Sequence, residues 1–260
     1  MNRIQMLDQD LNTNSLSTNR TSATGSNPKQ AVEHSFFVPL HYEPNYAYPL
    51  VVWLHGPGDG HRQLKQVMPH ISMRNYVGVA PGWPPTKAGE PAESDFAPSV
   101  WSQDAHGIVE TMSCVHDCVQ LAKNRFNIAP QRVFLAGFDC GGTMAIRLGL
   151  AAPDRFAGVA SFGGPVPTGN NPLSNLLQAR SLPMLIGYGR ESEQYPISQI
   201  CEELRLFHIA GLSLNLRQYP CGHELTTQML SDLDAWMMQI VTGVEGCSEP
   251  APEYLRFEEN

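Results

Sequence analysis

The chain is 260 residues long and 42% apolar, which is enough to bury one sizeable core, so a single domain of ordinary size is expected. Its 25 acidic residues outnumber 17 Lys and Arg, for a formal charge of −8, and this sign argues against nucleic acid or an anionic membrane surface as a partner. No apolar run approaches the roughly 20 residues of a membrane span, and the N-terminus lacks the basic start and apolar stretch of a secretory leader, so a cytoplasmic location is expected.

Residues 1–30 are rich in Asn, Ser and Thr and carry too few apolar side chains to offset the entropy of ordering, so they read as a disordered tail ahead of a domain spanning 31–243. Within that domain the runs Phe36-Phe37-Val38-Pro39-Leu40 and Leu50-Val51-Val52-Trp53-Leu54 read as strands, residues 62–73 as a helix, and Tyr76-Val77-Gly78-Val79-Ala80 as a further strand stopped by Pro81. A long loop dense in Pro, Gly and Glu follows over 82–98. Then Ile108, Met112, Val115, Val119, Ala122 and Phe126 recur at steps of three and four, which predicts an amphipathic helix ending before Pro130.

The run Arg132-Val133-Phe134-Leu135-Ala136 predicts a strand that meets Gly137-Phe138-Asp139-Cys140-Gly141-Gly142 and then the helix-forming run Thr143-Met144-Ala145-Ile146-Arg147-Leu148. Beyond it, strands are expected at 156–162, 183–187 and 212–219, and helices at 172–180, 196–210 and 225–241, with a loose tail over 244–260. Continuously apolar strands separated by helices imply a mostly parallel sheet covered on both faces.

The 6 cysteines show no framework spacing and read as free thiols; Cys114 and Cys118 share a helical face, where core packing is a better account than metal ligation. His61, His70, His106 and His208 have no partner in sequence.

Three motifs come in a telling order: His55-Gly56-Pro57-Gly58-Asp59 after a strand, the turn at 137–142, and Tyr219-Pro220-Cys221-Gly222-His223-Glu224 before the last helix. The middle one has the small residues, Gly137 and Gly141, that a strained strand-to-helix turn needs two places before and two after its central residue. Together they resemble the α/β-hydrolase superfamily, and in detail its phospholipase/carboxylesterase group, also called the predicted-esterase or acyl-protein-thioesterase-like group, over roughly residues 36–243.

The resemblance implies an α/β-hydrolase fold without a cap domain, no cofactor and no metal, and a small ester or thioester as ligand. It also implies a site. In that group a serine in the turn attacks a carbonyl, a histidine takes its proton and an aspartate orients the histidine. Here the nucleophile position holds Asp139, the base position His223 and the acid position Ser192, with Glu191 and Glu193 beside it as possible replacement acids. Of the two oxyanion N–H groups, that of Cys140 is kept. The other falls on Pro57, which has none to give, with Gly58 next in line.

These departures predict an ion pair between Asp139 and His223 in the space an acyl group would fill, and a degenerate esterase of weak or no activity. Two alternatives stand beside it. One is a non-catalytic derivative that binds a small molecule or partner. The other is a hydrolase in which Asp139 attacks alkyl carbon, as the turns of epoxide hydrolases and haloalkane dehalogenases do, although residues 163–182 are too few for the cap those enzymes carry. A one-residue slip making Cys140 the nucleophile would set Phe138 where glycine is wanted.

Overall fold

The computed structural model describes residues 33–82 and 101–243. The two expected tails and the loop over 83–98 lie outside these residues.

Among the described residues seven strands form one sheet in the order β1-β3-β2-β4-β5-β6-β7. They are β1 (His34–Phe37), β2 (Tyr48–Leu54), β3 (Val77–Pro81), β4 (Ile128–Phe138), β5 (Gly158–Phe162), β6 (Met184–Gly189) and β7 (Leu214–Tyr219). Only β1 runs antiparallel, against β3; the other pairings are parallel. The helices are α1 (Leu64–Ile71), α2 (Ala105–Arg125), α3 (Cys140–Ala151), α4 (Leu176–Ala179), α5 (Ile197–Ala210) and α6 (Thr227–Thr242).

The alternation of side chains along each strand divides the core in two. Leu50, Val52 and Leu54 of β2 face a layer containing Val115 and Val119 of α2, Met144 and Leu148 of α3, and Phe207 of α5. Val51 and Trp53 face the opposite layer, with Val67 and Met68 of α1 and Leu230, Leu233 and Trp236 of α6. The fully buried central strands are therefore apolar at nearly every position, as the parallel-sheet reading requires.

Three elements differ from expectation: the strand expected over 36–40 is β1 at His34–Phe37, which leaves Val38 and Leu40 exposed beyond its end, and the other two depart further. The helix expected over 172–180 shrinks to the single turn α4, because Gly169, Asn170 and Asn171 all take positive φ and Pro172 follows, so the chain turns where a helix would begin. Conversely β4 starts at Ile128 and runs through Pro130. The register against β2 jumps from Tyr48↔Ile128 to Leu50↔Val133, and the extra residues of this bulge include the proline, which has no N–H for the ladder.

Residues 163–175 carry no helix, so no cap stands between β5 and α4.

Candidate active site

The carboxyl ends of β4, β6 and β7 bring together the three side chains that matter. β4 stops at Phe138, α3 begins at Cys140, and Asp139 makes the turn between them with φ of 52° and ψ of −123°. For a residue with a Cβ this conformation is strained. It is held by hydrogen bonds on both sides: the Asp139 N–H donates to the Phe162 carbonyl at 2.8 Å, and its own carbonyl accepts from Thr143 N–H at 2.9 Å. The turn is as tight as the glycine pattern demanded, since a Cβ on Gly141 would stand 2.2 Å from the Leu54 carbonyl oxygen and one on Gly137 would stand 2.5 Å from the Gly141 carbonyl.

Although Asp139 occupies the N-cap of α3, its side chain makes no cap hydrogen bond. It turns instead to His223, with Oδ2 lying 2.8 Å from Nε2. The contact between Asp139 and His223 expected from sequence is therefore made, as a hydrogen bond.

His223 sits on the connection between β7 and α6. That connection is stitched to the end of β6: Arg190 N–H donates to the Tyr219 carbonyl at 2.8 Å, Glu191 N–H donates to the Cys221 carbonyl at 2.9 Å, and Gly189 has no room for a Cβ against Gly222. The stitching carries Ser192 to the far side of the imidazole, where its Oγ lies 3.1 Å from Nδ1. Phe138 packs its ring 5.4 Å from that of His223, and Gly163, at φ of 65°, leaves space for the imidazole edge.

Asp139, His223 and Ser192 thus form one hydrogen-bond chain with its ends exchanged relative to a serine hydrolase. The carboxylate stands at the turn, and the hydroxyl stands behind the histidine. The exchange dictates a tautomer. An ionised carboxylate only accepts, so Nε2 carries the proton shared with Asp139, and in the neutral ring Nδ1 is left to accept the Ser192 hydroxyl. A serine hydrolase needs the opposite, with Nδ1–H toward the acid and Nε2 free to take the nucleophile's proton. We expect a long-range ¹H–¹⁵N correlation spectrum at high pH to show His223 as the Nε2–H tautomer, and an Nδ1–H pattern would mean that the chain is not reversed.

The remaining expected site residues separate. Glu191 and Glu193 are exposed, and Glu191 faces Arg190 at 3.7 Å, so neither replaces the acid beside His223; Ser192 takes that place. Pro57 and Gly58 lie exposed on the turn after β2, with Gly58 at φ of 76°. The Cys140 N–H opens α3. Its thiol is pushed up by burial and held protonated, which argues against the slipped register. Cys140 packs on one core layer and Cys221 in the other, so they do not pair. Cys114 and Cys118 are buried, and burial pushes the Cys118 thiol up to about 12, as befits core residues. Among the described residues no group of His, Cys, Asp and Glu could hold a metal ion.

Around the site, His55 is fully buried, and its Nδ1 lies 2.9 Å from the Gly56 carbonyl oxygen. Burial holds its imidazole below the ordinary histidine range, so it is a neutral support under the loop. Trp101 donates its Nε1–H to the His55 carbonyl at 2.9 Å. Asp59 accepts from Gln63 Nε2 at 2.6 Å, and Gln63 in turn accepts from Trp53 Nε1–H at 2.6 Å, so the Asp59 carboxylate braces this loop through the Gln63 side chain.

Sequence reasoning missed three supports. Tyr195 donates its N–H to Ser192 Oγ at 3.1 Å and its hydroxyl to the buried Glu203 of α5, which also accepts Val166 N–H at 3.1 Å. This ties the Ser192 loop to the segment after β5. Arg147 of α3 is 2% exposed and donates to the carbonyls of Thr168 and Gly169 at 2.6 and 3.0 Å, fixing the same segment. The available signal was an arginine inside the otherwise apolar run 144–150 of α3.

Residues 43–240 match the sequence model of the family described as phospholipase/carboxylesterase. The chain is 24% identical over 227 residues to "Probable carboxylesterase SOBER1-like" of Arabidopsis thaliana, a match that covers 77% of this chain and 82% of that protein. It is 24% identical over 219 residues to "Acyl-protein thioesterase 1" of Gibberella zeae, covering 72% and 88%. The crystal structure of Arabidopsis thaliana SOBER1 superposes with a TM-score of 0.57 at 20% identity, over 75% of this chain and 100% of that one.

Proposed function

We propose that this chain, which belongs to the phospholipase/carboxylesterase family of α/β-hydrolases, does not turn over esters through an acyl-enzyme and keeps the esterase pocket to bind a small molecule. The observation that carries the reading is the reversed chain, with Asp139 Oδ2 at 2.8 Å from His223 Nε2 and Ser192 Oγ at 3.1 Å from Nδ1. It leaves no nucleophile that His223 can activate at the turn.

The chemistry of Asp139 points the same way. A carboxylate that adds to an ester carbonyl gives a tetrahedral intermediate with two possible leaving groups, the alkoxide and the carboxylate itself. The carboxylate is the far better one, so the intermediate collapses back to the ester. The lost donor at Pro57 adds to this, because one missing oxyanion donor costs about 2.7 to 4 kcal/mol of transition-state stabilisation. Attack at alkyl carbon escapes the leaving-group problem but needs groups that pull on the departing atom. Without a cap, the described residues offer no such donor opposite Asp139.

A second reading has one observation in its favour. The carboxylate and imidazole form a hydrogen-bonded dyad, and such a dyad can draw a proton from water, so slow hydrolysis of activated esters follows if water enters beside it. The two readings separate in one assay. Turnover of p-nitrophenyl acetate, p-nitrophenyl butyrate and an acyl thioester is compared for the wild type, Asp139→Ala and His223→Ala. The binding reading expects all three proteins to match the uncatalysed rate. A wild-type rate that both substitutions abolish would replace it with the water-activating one.

A further inference from the structure

We propose that this pocket selects ligands that donate hydrogen bonds, primary ammonium compounds foremost, instead of the carbonyl acceptors an esterase binds; the proposal rests on the reading of the site as a binding pocket. An esterase site is a set of donors. Two N–H groups converge on the ester carbonyl oxygen, while the serine hydroxyl donates to the histidine and turns its own oxygen on the carbonyl carbon.

Two separate positions in this chain have changed, one losing a donor and the other gaining a charge that only accepts. Pro57 withdraws an N–H on the turn after β2. Asp139 substitutes an ionised carboxylate, which only accepts, for a hydroxyl that donates.

The geometry leaves one oxygen of that carboxylate available. Oδ2 is engaged by His223 Nε2 at 2.8 Å, while Oδ1 makes no hydrogen bond among the described residues, and the side chain does not turn back to cap α3. The Asp139 side chain is 24% exposed, against 12% for His223, so its carboxylate is reachable from solvent.

No lysine or arginine pairs with Asp139 among the described residues; Arg190, on the loop beside the site, is turned to Glu191. A ligand ammonium would fill that gap with a charge-assisted bond. Its N–H groups would reach Oδ1, and an attached ring or chain would lie against Phe138, which is half-buried beside His223. The overall charge of −8 favours the approach of a cation. An ester carbonyl presented to the same spot would meet a carboxylate oxygen, acceptor against acceptor, and would lose the hydrogen bonds it makes with water.

Isothermal titration of the 260-residue chain with benzylammonium chloride and with methyl benzoate tests this directly. The expected result is saturable binding of one benzylammonium per chain, at least tenfold tighter than methyl benzoate. Asp139→Asn, which keeps the shape but removes the charge, should weaken benzylammonium about tenfold or more, since bonds to charged groups are the strong ones. Glu193→Gln, a charge lost from the exposed face of the neighbouring loop, should leave it unchanged. Perturbation of the His223 imidazole resonances by benzylammonium in the wild type gives the same answer without a variant. Equal affinity for both ligands, absence of saturable ammonium binding, or full binding by Asp139→Asn would overturn the proposal. Release of benzoate during the ester titration is a separate result. It would sink the binding-pocket reading, while the polarity of the site stands or falls on the benzylammonium arm.

Discussion

Asp139→Ser alone is expected to leave the protein with negligible esterase activity, and the triple variant Asp139→Ser, Ser192→Asp, Pro57→Leu is expected to gain far more than the product of the single gains. In the single variant His223 lies between two serines, so no carboxylate selects the tautomer that frees Nε2. At an otherwise intact serine triad the wrong tautomer drops kcat by about 10⁴. The missing N–H at position 57 withholds about 10² to 10³ more. Ser192 already stands 3.1 Å from Nδ1, on a loop held by Tyr195 and Glu203, so Ser192→Asp places a carboxylate on the side of the imidazole where an acid is needed. Members of such a set act as a unit, which is why the repairs should be strongly non-additive. kcat/KM for p-nitrophenyl acetate checks this across the single, double and triple variants. A single Asp139→Ser protein reaching about 10⁴ M⁻¹s⁻¹, in the range of working enzymes, would show that acid and oxyanion donors were intact all along.

The second large effect concerns the turn itself. Gly141→Ala should destabilise the protein by about 3 kcal/mol or more, or prevent it from folding. The new Cβ would stand 2.2 Å from the Leu54 carbonyl oxygen and 2.5 Å from that of His55, both backbone atoms at the end of β2 that cannot swing aside as a side chain would. Gly60→Ala is the contrast. Its backbone is extended at φ of −145°, and nothing lies within 4 Å of the added carbon, so its effect should stay within about 0.5 kcal/mol. Urea-unfolding midpoints for the two variants measure the difference. Equal midpoints would mean that α3 can lift off the sheet, and that the turn is not the rigid point on which Asp139 depends.

The glycines at 137 and 141 explain why so much of this molecule was legible. Gly137 answers a demand set inside the same turn, by Gly141 and Gly142, while Gly141 answers one set by the end of β2; both stand at a spacing that can be read directly, and the strand and helix on either side follow from apolar pattern alone. His223 was legible for a similar reason, since it sits between a recognisable strand and the last helix. What could not be read depends on contacts between distant segments. Glu203 looks from sequence like any acid on an amphipathic helix; only the fold brings Val166 and Tyr195 to it and so buries it. Glu191 and Glu193 looked like stand-in acids because sequence distance cannot tell which way a side chain leaves a loop. The stitching of that loop to the β7 connection turns Ser192 inward and the glutamates out. The shortened α4 was lost to turn chemistry, as Asn170 and Asn171 accept positive φ that an apolar pattern does not register.

The central claim is that no side chain in this site forms a covalent bond with an ester. Intact-protein mass spectrometry tests it most directly, with the wild type incubated with an alkyl fluorophosphonate and, separately, with p-nitrophenyl acetate, and the Asp139→Ser, Ser192→Asp protein as the positive control. The account predicts no adduct on the wild type and a phosphonyl adduct at position 139 of the control. A phosphonyl or acetyl group mapped to Ser192 or Asp139 of the wild type would contradict it, because the reversed hydrogen-bond chain would then be a working nucleophile.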